Sequence, residues 1–156
     1  MEMKRRSLLL WVASATTALT LAQENEKSKR IPAYHDKPPE SPQPRVIDAR
    51  EIEGAENKLA YTLAAKIPVV LYQLPCFCNC DLVSKHKSLL DCYITAHAAG
   101  CPWCKQEAVF AYLQTKEGKS PAQVRDLIIE QKWKELDLHK YMYLLDEQGS
   151  QDGAKK

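Results

Sequence analysis

The stretch PCFCNCDLVSKHKSLLDCYITAHAAGCPWC, residues 75–104, contains all six cysteines of the 156-residue chain. A protein that used cysteine merely as a small apolar core residue would scatter it along the sequence. Clustering therefore predicts that the sulfurs bond, either to metal ions or to one another. The residues concerned are Cys76, Cys78, Cys80, Cys92, Cys101 and Cys104.

The spacing of the cysteines favours a metal site. Thiolates are ligands for soft metals, so the candidate cofactors are copper as Cu(I), zinc or an iron–sulfur cluster. In an extended segment, C-x-C-x-C would place its three sulfurs on one face. Pro102 predicts that a helix begins at C-P-W-C, where the amide groups and the helix dipole would stabilise thiolates. We therefore predict that all six cysteines are metal ligands.

Two histidines extend this ligand set. His86, Leu89, Leu90, Tyr93, Ile94 and His97 form one stripe at helical spacing, which predicts a helix over residues 86–97. In a continuous helix His86 and His97 would lie about 16 Å apart, too far for one ion to bind both. We therefore expect His86 to join the C-x-C-x-C trio and His97 to join C-P-W-C. Cys92 lies off this stripe and needs a turn of the chain or another partner.

Disulfide bonding is the alternative to metal binding. An even number of cysteines in an exported chain is typical of three disulfides, and six cysteines allow 15 pairings. A bond within C-x-C is geometrically awkward, so each of the trio would need a distant partner. The corresponding function is a disulfide-stapled extracytoplasmic interaction module, or a subunit of an envelope complex.

Enzyme activity fits the sequence less well than binding. C-P-W-C resembles a thioredoxin active site, so thiol oxidoreductase is the least unfavourable activity, but the expected β-strand does not precede it. C-P-W-C-K also resembles a haem-attachment variant with Lys105 as axial ligand, which would leave four cysteines unexplained. No carboxylate pair, nucleophile–base set or phosphate loop accompanies the cysteines.

The N-terminus predicts export. Residues 1–22 combine a basic start, an apolar run and small residues at the cleavage spacing of a signal peptide. Arg5 and Arg6, followed by Ser-Leu-Leu, also fit a twin-arginine signal. We expect an extracytoplasmic protein, in the periplasm or cell envelope, with no transmembrane segment after cleavage. The net charge of +2 falls within this leader, so the remainder gives no reason to expect nucleic acid as a partner.

Composition divides the rest of the chain into three parts. Residues 23–50 contain five of the nine prolines and few aliphatic side chains, which predicts a disordered, flexible spacer. Residues 51–147 form the predicted domain, and residues 148–156 a disordered polar tail. We predict that the domain is mainly α, a small helical unit with a cysteine-rich cluster of loops and helices.

Local signals place several helices in this domain. Ser120, Pro121 and Gln123 form an N-cap, a first-turn proline and a capping-box residue. A preceding helix should run from Pro102 to about Glu117 and end at Gly118. Residues 51–65 are Ala-rich and predicted helical. Residues 67–74 are ambiguous, but Pro68 fits a first helical turn and no second strand is evident, so we interpret them as helix.

Three segments together resemble the PCYCGC-motif family. They are PCFCNC at residues 75–80, HKSLLDCY at 86–93 and CPWC at 101–104, and the resemblance covers roughly residues 57–131. Phe77 and Asn79 replace the Tyr and Gly of the family motif. Members are small exported bacterial proteins of uncharacterised function, many of them lipoproteins. The resemblance implies that the cysteines act as one unit. The leader here contains no cysteine for lipid attachment, so we expect a soluble or differently tethered protein.

Overall fold

In the computed structural model of the protein, residues 30–42 and 45–145 are described, and their regular secondary structure is helical. No β-strand occurs among these residues, which confirms the mainly α class. The α-helices are α1 (Ala55–Ala64), α2 (Pro68–Tyr72), α3 (Cys80–Val83), α4 (Pro102–Lys116) and α5 (Pro121–Ile129). The 3₁₀ turns span Ala49–Glu51, Leu89–Cys92, Ala96–Gly100, Lys132–Glu135 and Leu138–Tyr141.

The predicted ends of α4 and α5 are confirmed. At α5 the Ser120 hydroxyl accepts from the Gln123 backbone N–H, and the Gln123 side chain accepts in return from the Ser120 N–H. Pro102 occupies the first turn of α4, where a missing N–H costs no helical hydrogen bond. Gly118 follows α4 with φ of 87°, a left-handed conformation that glycine adopts without strain.

The helical interpretation of residues 51–65 and 67–74 is confirmed for the main part of each segment, Ala55–Ala64 and Pro68–Tyr72. The Ala-rich segment forms α1, which begins after Gly54, a residue with φ of 89°. Pro68 occupies the first turn of α2, as expected. Helix α1 packs against α4, and its Leu59 and Leu63 side chains are fully buried.

The predicted helix over residues 86–97 is wrong. Ser88 and Thr95 have extended backbones, and short 3₁₀ turns follow each of them. The Leu89 N–H donates to the Leu74 carbonyl at 2.8 Å, a bond outside any helix. The apolar stripe is nevertheless buried, with Leu90 at 0% exposure, because a compact pair of turns also directs such residues inward. Tertiary contacts have overridden the helical spacing.

Part of the predicted flexible spacer lies against the helices. The His35 ring stacks on the Tyr72 ring, with centroids 3.9 Å apart and planes 3° from parallel. The Ile47 N–H donates to the Tyr93 carbonyl at 3.1 Å. The high proline content predicted that this segment forms no core of its own. It does not reveal that the segment packs against the rest of the domain. Residues 23–29, 43 and 44 lie outside the described residues, and there the spacer stays a prediction.

The predicted leader, residues 1–22, and the predicted tail, residues 148–156, also lie outside the described part of the chain. Among the helices that are described, none has the length and apolarity required to span a bilayer.

Two tyrosines connect the core to the cysteine-rich stretch. Tyr61 and Tyr93 are fully buried and meet edge to face, with ring centroids 4.8 Å apart. The Tyr93 hydroxyl donates to the Cys104 carbonyl at 2.7 Å, and the Tyr61 hydroxyl donates to the Thr95 carbonyl at 2.8 Å. Because both phenols bond to backbone, they fix the start of α4 and the turn before it.

Replacing Trp133 should destabilise the domain. Its side chain is fully buried and its indole N–H donates to the Ile128 carbonyl at 3.2 Å. We expect Trp133→Ala to lower the free energy of unfolding by about 3–5 kcal/mol, measured by guanidinium denaturation under reducing conditions. The neighbouring Lys132 is exposed, so Lys132→Ala should change stability by less than about 0.5 kcal/mol. Equal stability of the two variants would show that Trp133 is not a core anchor.

Candidate metal centre

The six cysteine sulfurs, supplied by four separate segments, come together in one cluster. Cys76 and Cys78 lie in the loop between α2 and α3, and Cys80 is the first residue of α3. Cys92 ends the 3₁₀ turn Leu89–Cys92. Cys101 and Cys104 lie at the beginning of α4, where C-P-W-C was predicted to start a helix.

The sulfurs are in contact but not bonded to one another. The Sγ atoms of Cys76 and Cys78 are 3.3 Å apart, and each lies 3.5 Å from the Sγ of Cys104. Cys80 and Cys92 have their Sγ atoms 3.4 Å apart. A disulfide requires about 2.05 Å, and all six cysteines are free thiols. The alternative of three disulfides therefore finds no support in this geometry.

The three sulfurs of C-x-C-x-C converge by a different route from the one expected. Asn79 has φ of 63°, in the left-handed region, and Cys80 enters α3 directly after it. The backbone therefore turns at Asn79 instead of continuing as an extended strand. The result is still that Cys76, Cys78 and Cys80 form a group whose sulfurs lie within 4.8 Å of one another.

The expected separation of the two histidines is wrong. His86 and His97 have ring centroids 4.7 Å apart, because the segment between them folds as short turns and not as one helix. The His86 Nδ1 atom lies 3.3 Å from the Cys92 Sγ. Both rings join Cys80 and Cys92 in one group, so His97 does not pair with C-P-W-C and Cys92 needs no distant partner.

The ligand atoms fall into four overlapping groups, each with its members within 4.8 Å of one another. One group contains two sulfurs and two imidazoles, and the other three contain three sulfurs each. The groups are Cys80–His86–Cys92–His97, Cys76–Cys78–Cys80, Cys76–Cys92–Cys104 and Cys78–Cys101–Cys104. All eight residues predicted as ligands from the sequence are members of at least one group.

The donor set fits a soft metal. A tetrahedral zinc site with metal–sulfur bonds near 2.3 Å separates its sulfurs by roughly 3.8 Å, slightly more than the contacts between these thiols. A small outward movement of the side chains would therefore admit an ion. Cys78 and Cys101 are half-buried while the other four thiols are buried, so the cluster has one side near solvent.

The pKa values of the thiols are shifted in opposite directions by their mutual hydrogen bonds. Hydrogen bonds from the Cys101 and Cys104 thiols hold the pKa of Cys78 well below its usual range. Hydrogen bonds from the Cys104 and Cys76 thiols lower the pKa of Cys92 to about 4. The Cys76 thiol acts as donor in its hydrogen bonds with Cys104 and Cys78. Because this stabilises its protonated form, the pKa of Cys76 is raised. Neighbouring S–H groups thus stabilise a first thiolate, the form that binds metal.

Glu107 belongs to the site although the sequence analysis did not identify it. It is fully buried, and one carboxyl oxygen accepts from the Phe77 backbone N–H at 2.7 Å. Burial raises the pKa of Glu107 well above its usual value, against the opposing effects of the Phe77 amide and the Cys76 thiol. Its position three residues after Cys104, on the same face of α4, was the signal available in the sequence.

Glu107 should fix the loop that carries Cys76 and Cys78. We expect Glu107→Leu to lower the free energy of unfolding by about 1–3 kcal/mol, because the Phe77 N–H would lose its acceptor. Glu107→Gln retains an acceptor oxygen and should lose clearly less. Guanidinium denaturation of both reduced variants measures the difference, and equal losses would contradict the role of this hydrogen bond.

Comparison with known sequences gives the family of the chain. Residues 44–137 match a family described as "Protein of unknown function with PCYCGC motif". No curated protein and no solved structure matches the chain. The matched region includes every residue of the cysteine and histidine cluster as well as Glu107. The chain therefore belongs to the PCYCGC-motif family, whose function is unknown.

Proposed function

We propose that this protein is an exported metal-binding protein, which holds soft metal ions outside the cytoplasm through thiolate and imidazole ligands. The observation that carries the proposal is the convergence of six unbonded thiols and two imidazoles from separate segments. Thiols brought into contact from distant parts of a chain resemble the preformed ligands of a metal site more than incidental core residues.

The sulfur separations favour ions bound directly by cysteine. The inorganic core of an iron–sulfur cluster stands between its cysteine ligands and holds their sulfurs apart. Contacts of 3.3 to 3.5 Å between sulfurs leave little room for such a core. Copper as Cu(I) and zinc therefore fit the site better than an iron–sulfur cluster.

The surroundings of the cluster support a role in metal handling. Cys78 and Cys101 are accessible from solvent, so an incoming ion can meet a thiol without opening the fold. Cys76 and Cys104, behind them, are buried, which would protect bound ions from water and competing ligands. A site with one open side is suited to receiving an ion and passing it to a partner.

Export is the second part of the proposal. The basic and apolar leader over residues 1–22 would direct the chain across the membrane. Free thiols outside the cytoplasm are exposed to oxidation, and bound metal would protect them by occupying the reactive sulfur. A twin-arginine route would allow the metal to be inserted before transport, since that route carries folded proteins.

Metal content and free thiols provide the direct test. We expect the protein, purified without oxygen or chelator, to contain stoichiometric copper or zinc by elemental analysis. Cys78→Ser should weaken retention by roughly tenfold or more against a competing chelator, because a half-buried ligand is lost. The matched control is His139→Ala, since His139 lies outside the cluster and pairs with Glu56.

Two results would overturn the proposal. A protein with neither metal nor free thiols would be a disulfide-stapled module instead. Equal metal retention by Cys78→Ser and His139→Ala would show that ions bind elsewhere on the chain.

The leader can be tested separately from the metal site. We expect a fusion of residues 1–30 to a reporter enzyme, active only outside the cytoplasm, to show the reporter's activity in bacterial cells. If the twin-arginine route is used, replacing Arg5 and Arg6 together by lysine should abolish that activity, because the route requires the arginine pair. Unchanged activity indicates general secretion, and a reporter that stays in the cytoplasm contradicts export.

A further inference from the structure

The ligand groups are joined through shared cysteines. Cys80 links the histidine-containing group to Cys76–Cys78–Cys80, and Cys92 links it to Cys76–Cys92–Cys104. Cys76, Cys78 and Cys104 connect the three all-sulfur groups to one another in the same way. Cys76, Cys78 and Cys104 are also in mutual contact, with sulfurs 3.3 to 3.5 Å apart, so five cysteines are each shared by two or more groups.

Sharing of this kind is the arrangement of a bridged cluster. A thiolate sulfur has several lone pairs and can bind two metal ions at once, whereas a neutral imidazole nitrogen binds one. The shared positions are all cysteine. Both histidines, which could not bridge, are confined to one group, as is Cys101 at the edge near solvent. The positions shared between groups are therefore occupied by ligands that can bridge two ions, and the ligands that cannot bridge lie in a single group.

The size of the groups favours copper over zinc. Zinc in proteins takes four ligands in a tetrahedron, and one of the four groups offers four. The other three groups offer three thiols each, which suits Cu(I), a soft ion that is stable with three sulfur ligands.

Charge limits how many thiolates one ion can serve. If all six cysteines bind as thiolates, a single monovalent ion would offset one of their six charges among mostly buried sulfurs. Several Cu(I) ions would offset more of that charge.

We propose that the site takes more than one Cu(I) ion, in a single cluster bridged by the shared cysteines Cys76, Cys78, Cys80, Cys92 and Cys104. This inference rests on the proposed function and specifies its metal and the binding of several ions together. On binding, the thiols that are still protonated release their protons to solvent, and the six sulfurs form copper–sulfur bonds. No change in the oxidation state of sulfur or copper is required.

Anaerobic titration with Cu(I) tests the number of ions. The reduced full chain is titrated with Cu(I) in the presence of bathocuproine disulfonate as a competing chelator, and the products are examined by native mass spectrometry. We expect a plateau at two or more ions per chain. X-ray absorption at the copper edge should show copper neighbours around each copper, a signal that separate sites do not produce.

Two cysteine variants separate a bridged cluster from independent sites. Cys101 belongs to one group and Cys78 to more than one, and both are half-buried. With enough competitor to remove ions from incomplete groups, Cys78→Ser should retain fewer ions than Cys101→Ser, because its sulfur is shared. His139→Ala should retain as many ions as the unmodified chain. Circular dichroism of the metal-free variants confirms that each retains the fold.

Each other outcome identifies which statement fails. A plateau at one ion, or copper without copper neighbours, overturns the cluster while leaving a metal-binding function in place. Retention of zinc and rejection of copper overturns the choice of metal. Failure to bind any metal overturns the proposed function as well.

Discussion

The first two turns of α4 impose the constraint on which the site depends. Cys101, Cys104 and Glu107 project from this one rigid segment, and Glu107 binds the backbone of the loop that carries Cys76 and Cys78. The Tyr93 hydroxyl holds the same turns from the other side through the Cys104 carbonyl. Because a helix fixes the spacing of its side chains, these two hydrogen bonds hold the loop around Phe77 and the segment around Tyr93 against the cysteines at the start of α4.

Confinement of the thiols changes their chemistry. Thiols in contact cannot all ionise together, since each thiolate raises the cost of the next. They share protons instead, and the S–H groups of Cys104 and Cys76 stabilise the thiolate of Cys92. In the proposed metal site, metal ions would replace those protons and offset the negative charge of the thiolates. The same packing that opposes ionisation of several thiols together would then favour the binding of soft cations.

Local signals in the sequence were sufficient to predict the end of α4 and the start of α5, because neighbouring residues determine these helix ends. Ser120 and Gln123 cap α5 through their own hydrogen bonds, and Gly118 ends α4 through its own backbone angle. The segment over residues 86–97 could not be predicted in this way. Its turns are held by partners far along the chain, including the bond from Leu89 to Leu74, and helical spacing does not distinguish them from a helix.

The same distinction applies to the site. Residue chemistry identified all eight candidate ligands, because cysteine and histidine clustered within 29 residues are unusual outside bonded sites. Which ligands share a group depends on tertiary folding, so the pairing of His86 with His97 was missed. Glu107 was missed because its spacing from Cys104 indicates only a shared helix face, and not its burial or its bond to Phe77.

The position of the cluster would link the proposed metal binding to folding. Cys80 and Cys92 are buried, yet they lie in elements of four residues each, which cannot be stable alone. Ions bridging these cysteines to Cys104 would tie both short elements to α4, the longest helix among the described residues. A ligand that binds only the folded state stabilises it, and tighter binding stabilises it more, so the metal would act here as part of the core. Cys78 and Cys101 are the thiols nearest solvent, so they would be the ligands that release or exchange an ion with the least disturbance of the fold.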